Sequence, residues 1–229
     1  MIERNPDPAT IPAVVVAIGG GSGSGKSTLA GALSRELRDL DPVLLPQDHF
    51  FRDFQEYEPA ERERVRTVNN PEGLNWQAFH AALEELSRGG QVALPAPGTR
   101  AAMRGMPLET LGPGRVVIVE GLFALWDVRS RELADLRLFT EVAEDERVLR
   151  RLERDVRERG STLERAAAWY RRDVAPNYPT YTQSTRAYAD LIVPTGHDCA
   201  KAVSVVVQAV RAMAASRSPR DLAESDGRF

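Results

Sequence analysis

Residues 13–18 read AVVVAI, a run of apolar positions rich in β-branched side chains. Such a run predicts a strand buried on both faces rather than one alternating between core and solvent. Residues 19–25 break it, and residues 27–40 then bring Leu29, Leu33, Leu37 and Leu40 to helical spacing. Residues 43–45 predict a second short strand. Asn75 can cap a helix whose apolar face is Trp76, Phe79, Leu83 and Leu86, closed by Gly89 and Gly90. Further strands are expected at residues 116–119, 136–142 and 191–193, and further helices at residues 145–159, 163–174 and 200–215. Pro176 is expected to bar extension of the helix at 163–174. Two polar segments without a clear period, residues 52–70 and 95–113, read as insertions.

Strands that alternate with helices predict an α/β fold, a mostly parallel sheet with helices on both faces. Ligands in such folds sit beyond the carboxyl ends of the strands. That rule brings residues 19–26, the Gln47-Asp48 pair and Glu120 to one rim. The expected organisation is an N-terminal extension (residues 1–12), one domain (residues 13–215) with a helical lid at residues 144–162, and a polar, frayed tail (residues 216–229).

Composition narrows the class. A chain of 229 residues can bury a core without a disulfide or structural metal. Its one cysteine, Cys199, cannot form an internal disulfide, which fits a reducing cytoplasm. A net charge of −3 argues against a nucleic-acid partner. No apolar run is long enough to span a membrane, and the polar start of the chain is unlike a signal peptide. Of 30 basic residues only Lys26 and Lys201 are lysines. A chain this rich in arginine nevertheless has Lys at position 26, where a compact ammonium fits between phosphates better than a planar guanidinium.

The chemistry begins at Gly20-Gly21-Ser22-Gly23-Ser24-Gly25-Lys26-Ser27-Thr28, which satisfies G-x-x-x-x-G-K-[ST] between an expected strand and an expected helix. This is a P-loop. Its backbone N–H groups and the following helix N-terminus cradle phosphates. Lys26 is expected to reach the β- and γ-phosphates and the Ser27 hydroxyl to bind Mg²⁺, so the segment binds a nucleoside triphosphate, MgATP. Asp48 either faces the γ-phosphate as a general base or caps the next turn. Glu120 either helps hold Mg²⁺ or simply ends its strand. Arg147, Arg151 and Arg154 follow one helical face, with Arg159 beyond. They form either a lid that lends charge to the transferring group or a solvated face laced with ion pairs. No N-K-x-D segment for guanine is present.

In this order, these pieces resemble the uridine–cytidine kinase family within the phosphoribulokinase and uridine kinase group. The likeness runs over residues 14–194 and is carried by the P-loop, Leu44-Leu-Pro-Gln-Asp-His-Phe-Phe51, Val117-Ile-Val-Glu-Gly-Leu122, the arginine-rich stretch ending at Gly160, and Thr185-Arg-Ala-Tyr-Ala-Asp-Leu-Ile-Val-Pro194. The resemblance implies transfer of the ATP γ-phosphate to the 5′-hydroxyl of a pyrimidine ribonucleoside. It implies Asp48 as general base, Ser27, Asp48 and Glu120 around Mg²⁺, and Arg151, Arg154 and Arg159 as lid arginines. A homo-oligomer, a tetramer in particular, fits it as well.

The acceptor half departs from the family. Asn69-Asn70-Pro71 stands where the family has Asp-His-Pro, and Pro95-Ala-Pro-Gly-Thr-Arg100 replaces a segment with an aromatic ring. The lid ends Arg159-Gly160-Ser161 instead of Arg-Gly-Arg, and Trp169 stands where the family has Gln. The phosphate machinery is retained and the pyrimidine pocket is altered, which changes or relaxes the acceptor. The candidates for acceptor contact are Asn69, Arg100, Arg104, Trp169 and Tyr178, with Trp76 a core residue in preference. The acceptors to weigh are uridine or cytidine, nicotinamide riboside, and a pantothenate-like or sugar-like alcohol. A nucleotide-binding regulatory protein without transfer activity is the reading from another class.

Overall fold

A strand with no polar face must be covered from both sides, and the computed structural model, which describes residues 11–196 and 199–217, shows how that is done. Strand β1 (Val14–Gly20) is buried at every position. It is followed by helix α1 (Lys26–Glu36), β2 (Pro42–Pro46), α2 (Pro59–Val65) and α3 (Trp76–Ser87). A hairpin-like pair, β3 (Val92–Leu94) and β4 (Glu109–Leu111), brackets the one-turn α4 (Arg100–Met103). Then come β5 (Val116–Glu120), α5 (Val128–Leu133), β6 (Leu136–Glu141), α6 (Glu144–Arg157), α7 (Leu163–Trp169), α8 (Ala175–Asn177), β7 (Leu191–Pro194) and α9 (Ala200–Ala215).

The main sheet is entirely parallel in the order β2-β5-β1-β6-β7. Successive side chains of a strand point to opposite faces. Val14, Val16 and Ile18 therefore meet Leu29, Leu33 and Leu37 of the α1 segment and Val203, Val206 and Val210 of α9. Val15, Val117 and Val119 meet Phe79, Leu83 and Leu86 of α3 on the other face. Asn75 caps α3 as expected, its side chain accepting from Ala78 N at 3.1 Å.

Three expectations change. The segment at 95–113 is not a formless insertion, because Glu109–Leu111 pairs antiparallel with Val92–Leu94 and Thr99 caps α4. The segment at 52–70 carries α2. Pro176 does not end its helix. The chain passes through π turns at Tyr170–Val174 and Tyr178–Thr182 and a 3₁₀ segment at Gln183–Tyr188. Pro176 sits in the first turn of α8, where its missing N–H and fixed φ do least harm, and the wider π turns on either side change the hydrogen-bond register. Of the expected terminal extensions, residues 1–10 and 218–229 lie outside the described residues.

Register brings the site together. Glu120, the last residue of β5, lies opposite Ile18 of β1 and Pro46 of β2. The residues immediately after all three strand ends thus share one rim. Gly121 keeps this rim tight: a Cβ there would lie 2.4 Å from the Gln47 side chain, whose Oε1 accepts from Phe123 N at 2.9 Å. Gly121→Ala is expected to lower stability by about 1–3 kcal/mol through overpacking. Urea denaturation of the two proteins measures it, and an unchanged midpoint contradicts the close packing described.

Candidate active site

The P-loop turns where only a residue without Cβ fits. Gly23 has φ +85°, and a Cβ on it would lie 2.4 Å from the Arg147 carbonyl oxygen. The loop is thereby pressed against α6, the expected lid helix. Ser24 is turned inward, sharing a 2.6 Å hydrogen bond with Thr140 Oγ1 of β6, so its hydroxyl has a structural partner. Thr28 is exposed on α1.

Lys26 is buried and donates to Gly21 O at 2.8 Å. Burial pushes its pKa down to about 8, against the pull of Glu120 and Asp48. Burial pushes Glu120 the other way, up from the usual carboxylate range. Ser27 Oγ donates to Glu120 Oε1 at 3.1 Å. A hydroxyl and a carboxylate are hard oxygen donors side by side at the mouth of the loop, with the exposed Asp48 on the same cavity. That donor set suits Mg²⁺, which is commonly held by one or two protein carboxylates together with substrate phosphates.

The arginines of α6 reach the loop. Arg151 donates to Ser22 Oγ at 2.6 Å and Arg154 donates to the same oxygen at 3.0 Å. Burial lowers the pKa of both. Asp155 lies 3.5 Å from Arg151 and accepts from Arg159 at 3.0 Å, tying three arginines to one carboxylate. Arg147 is buried and stacks over the Tyr178 ring at 3.9 Å from its centre. Both pack on Gly21. Tyr178 therefore buttresses the P-loop and does not line the acceptor cavity, which corrects its place among the acceptor candidates.

Lys26, Ser27, Asp48, Glu120, Arg151 and Arg154 share one open cavity of about 950 Å³ with the other acceptor candidates Asn69, Arg100, Arg104 and Trp169. Arg159 lies on the same wall. Trp76 does not line it: its indole donates to Pro71 O at 2.9 Å and its ring packs on Phe79, as a core residue would.

Sequence reasoning missed four residues here. Arg66, Arg165 and Arg172 also line the cavity. Arg165, Trp169 and Arg172 fall at i, i+4 and i+7, a helical face that was available as a signal. Asp173 had no such signal. It is buried, accepts from Thr67 Oγ1 at 2.8 Å and from Asn69 Nδ2 at 2.5 Å, and so reaches partners more than a hundred residues away. It also explains the neutral residue at 69. A carboxylate at that position would face a second carboxylate at hydrogen-bond distance. With its amide N–H₂ directed at Asp173, Asn69 keeps its carbonyl oxygen as an acceptor.

A parallel sheet, a P-loop at the end of β1 and an arginine-bearing helix packed on that loop define the class: a P-loop phosphotransferase. The model of the phosphoribulokinase / uridine kinase family matches residues 15–202, and the chain belongs to that family. It is a nucleotide-binding transferase that uses an alcohol group as acceptor. It is 32% identical over 200 residues to a uridine kinase of Lactiplantibacillus plantarum, covering 87% of this chain and 95% of the relative. It is 34% identical over 203 residues to a uridine kinase of Leuconostoc citreum, covering 87% and 96%. A crystal structure from Silicibacter sp. TM1040, which carries the working description of a fructose transport system kinase, superposes with a TM-score of 0.61 at 24% identity, over 81% of this chain and 92% of that one, and shares the fold. Among the described residues no helix is long and apolar enough to cross a membrane.

The exchange at 69 and 173 is testable as a coupled pair. Asn69→Asp and Asp173→Asn should each lower stability by about 1–3 kcal/mol, because each leaves a buried polar group mismatched. The double variant should recover most of the loss, with a coupling of about 0.5–3 kcal/mol. Chemical denaturation of the four proteins at pH 7 reads this, and strictly additive losses would contradict the pairing.

Proposed function

We propose that this chain is a MgATP-dependent kinase that transfers the γ-phosphoryl group to a hydroxyl of a small molecule, with uridine and cytidine as reference acceptors. One observation carries the reading: Lys26, Ser27, Asp48, Glu120, Arg151 and Arg154 line one cavity at the mouth of the P-loop. The names of the uridine kinase relatives support the nucleoside class. A cytoplasmic enzyme, a possible homo-oligomer that acts on a small molecule, suits the same reading.

The roles follow from chemistry. The P-loop N–H groups and the Lys26 ammonium bind the β- and γ-phosphates, and the arrival of anionic oxygen raises the Lys26 pKa again. Ser27 and Glu120, with Asp48, would hold Mg²⁺, which supplies positive charge to the phosphate oxygens. Arg151 and Arg154, which donate to the Ser22 hydroxyl, exchange it for phosphate oxygens, a stronger charge-assisted bond. Asp48 orients the acceptor hydroxyl and takes its proton as the new P–O bond forms and the bond to the leaving ADP oxygen breaks. Arg159 adds charge from the lid end, steered by Asp155.

Two substitutions test this. Lys26→Ala should abolish acceptor-dependent ADP release from MgATP. Asp48→Asn should lower turnover on the order of 10²-fold or more with ATP binding retained. The readout is a coupled ADP assay with uridine and cytidine among the acceptors. Near-normal turnover in Asp48→Asn removes Asp48 from the mechanism.

A further inference from the structure

Asp173 is buried and does not line the cavity, yet both its oxygens are spent on a segment that does. Oδ1 accepts from Thr67 Oγ1 at 2.8 Å, and Oδ2 accepts from Asn69 Nδ2 at 2.5 Å. The Thr67 hydroxyl oxygen in turn accepts from the Asn69 backbone N–H at 3.1 Å. One carboxylate thus holds Asn69 directly by its side chain, and through one hydroxyl by its main chain. Asp173 is itself held in place. Its carbonyl oxygen, within the π turn Tyr170–Val174, accepts from Asn177 Nδ2 at 2.7 Å. Turns of this kind are frequent at functional sites.

The direction of every bond in this ring follows from chemistry. A carboxylate oxygen only accepts, and a hydroxyl has one hydrogen to give. Thr67 gives its hydrogen to Asp173, so its oxygen is left to receive the Asn69 N–H. The Asn69 amide must turn its N–H₂ end toward Asp173, because the carbonyl end would set oxygen against oxygen. Asn69 lines the cavity that also holds Asp48. What it has left to offer there is a carbonyl oxygen, a hydrogen-bond acceptor. An asparagine free of this constraint presents a donor or an acceptor. Asp173 removes the choice without touching the cavity.

We propose that Asp173 is a positioning residue for phosphoryl transfer, fixing the Asn69 carbonyl oxygen to accept a hydrogen bond from a hydroxyl or N–H of the alcohol substrate. The inference rests on the kinase reading above and adds no step to it. Its consequence is selectivity by hydrogen-bond polarity. A substrate with a donor at Asn69 is seated, and one with no donor there leaves the carbonyl unmatched. Seating in turn sets the approach of the reacting hydroxyl to Asp48, where small misplacements are costly in rate. Asp173→Asn breaks the ring, because its N–H₂ end meets either the Asn69 N–H₂ or the Thr67 hydroxyl hydrogen. Adding Asn69→Asp closes the ring again and still presents only an acceptor to the cavity.

The amide is measured first, because its orientation does not depend on turnover. The Asn69 side-chain N–H₂ resonances are assigned by their absence in Asn69→Asp. In the wild type they should exchange with solvent about tenfold more slowly than in Asp173→Asn. Equal exchange overturns the proposal. Kinetics follow at a temperature where circular dichroism shows every variant folded. The acceptor is whichever of uridine, cytidine, nicotinamide riboside, pantothenate and fructose gives the wild type the fastest ADP release from MgATP. Asp173→Asn should raise its KM about 5- to 10-fold while the KM for ATP stays within about twofold. The double variant Asn69→Asp with Asp173→Asn should return that KM to within about threefold of the wild type. Thr67→Val, which cuts the same ring at a less buried residue, should show the same split and serves if Asp173→Asn does not fold. Analogues of the acceptor, each lacking one hydroxyl or N–H, complete the test. At least one should lose about fivefold or more in kcat/KM with the wild type, and the loss should shrink in the Asp173→Asn or Thr67→Val variant. An unchanged acceptor KM, an ATP KM that rises in step, no rescue by the double variant, or equal analogue losses overturns the positioning role and leaves the kinase reading standing. No ADP release by the wild type with any acceptor sinks the kinase reading, and the role of Asp173 in transfer falls with it.

Discussion

A buried ammonium is the constraint on which the rest of this structure turns. Lys26 sits where the N-terminus of α1 meets the end of β1, with one carbonyl oxygen as its hydrogen-bond partner and burial working against its charge. A charge in that position is tolerable only if the protein fixes opposite charge nearby or a ligand supplies it. Both are provided for. The parallel register sets Glu120 and Asp48 on the same rim, and the glycine turn leaves room for phosphate beside the ammonium. The sheet must be rigid and dry on both faces for this to hold, and its two apolar layers make it so.

Much of this was legible in the sequence, for identifiable reasons. The P-loop could be read because its spacing is dictated by backbone geometry, and β1 because a doubly covered strand leaves no polar face. The common rim followed from the rule that strand ends gather ligands. What stayed hidden depends on contacts far apart in the chain or on unusual helix geometry. Nothing in Thr67, Asn69 or Asp173 announces that they meet. Pro176 suggested a helix end because the rule concerns α-helices, and the chain avoids it through π turns. Tyr178 looked like a substrate residue because aromatic rings often are, but Arg147 claims its ring. Arg165, Trp169 and Arg172 were readable as a face and were passed over.

The hidden pair also joins the two halves of the cavity. Asp173 lies in the helical stretch that follows the lid helix α6, and through Asn69 it grips the segment leading to α3. The lid arginines are held to the loop at Ser22 by the preceding stretch of the same chain. The contacts at Ser22 and at Asn69 are thus joined through one stretch of chain, from α6 through α7 to the π turn at Tyr170–Val174, although they are separate.

Charge is distributed in this protein with a polarity that its total conceals. The chain carries a net charge of −3, yet the walls of the cavity at the P-loop are predominantly cationic. Outside that cavity acidic residues outnumber basic ones. Such a field draws anions to the opening and makes encounter rates fall as ionic strength rises. The like charges lining the cavity repel one another, so ordinary sulfate or phosphate in a storage buffer would stabilise the protein while competing with the molecules it is meant to bind.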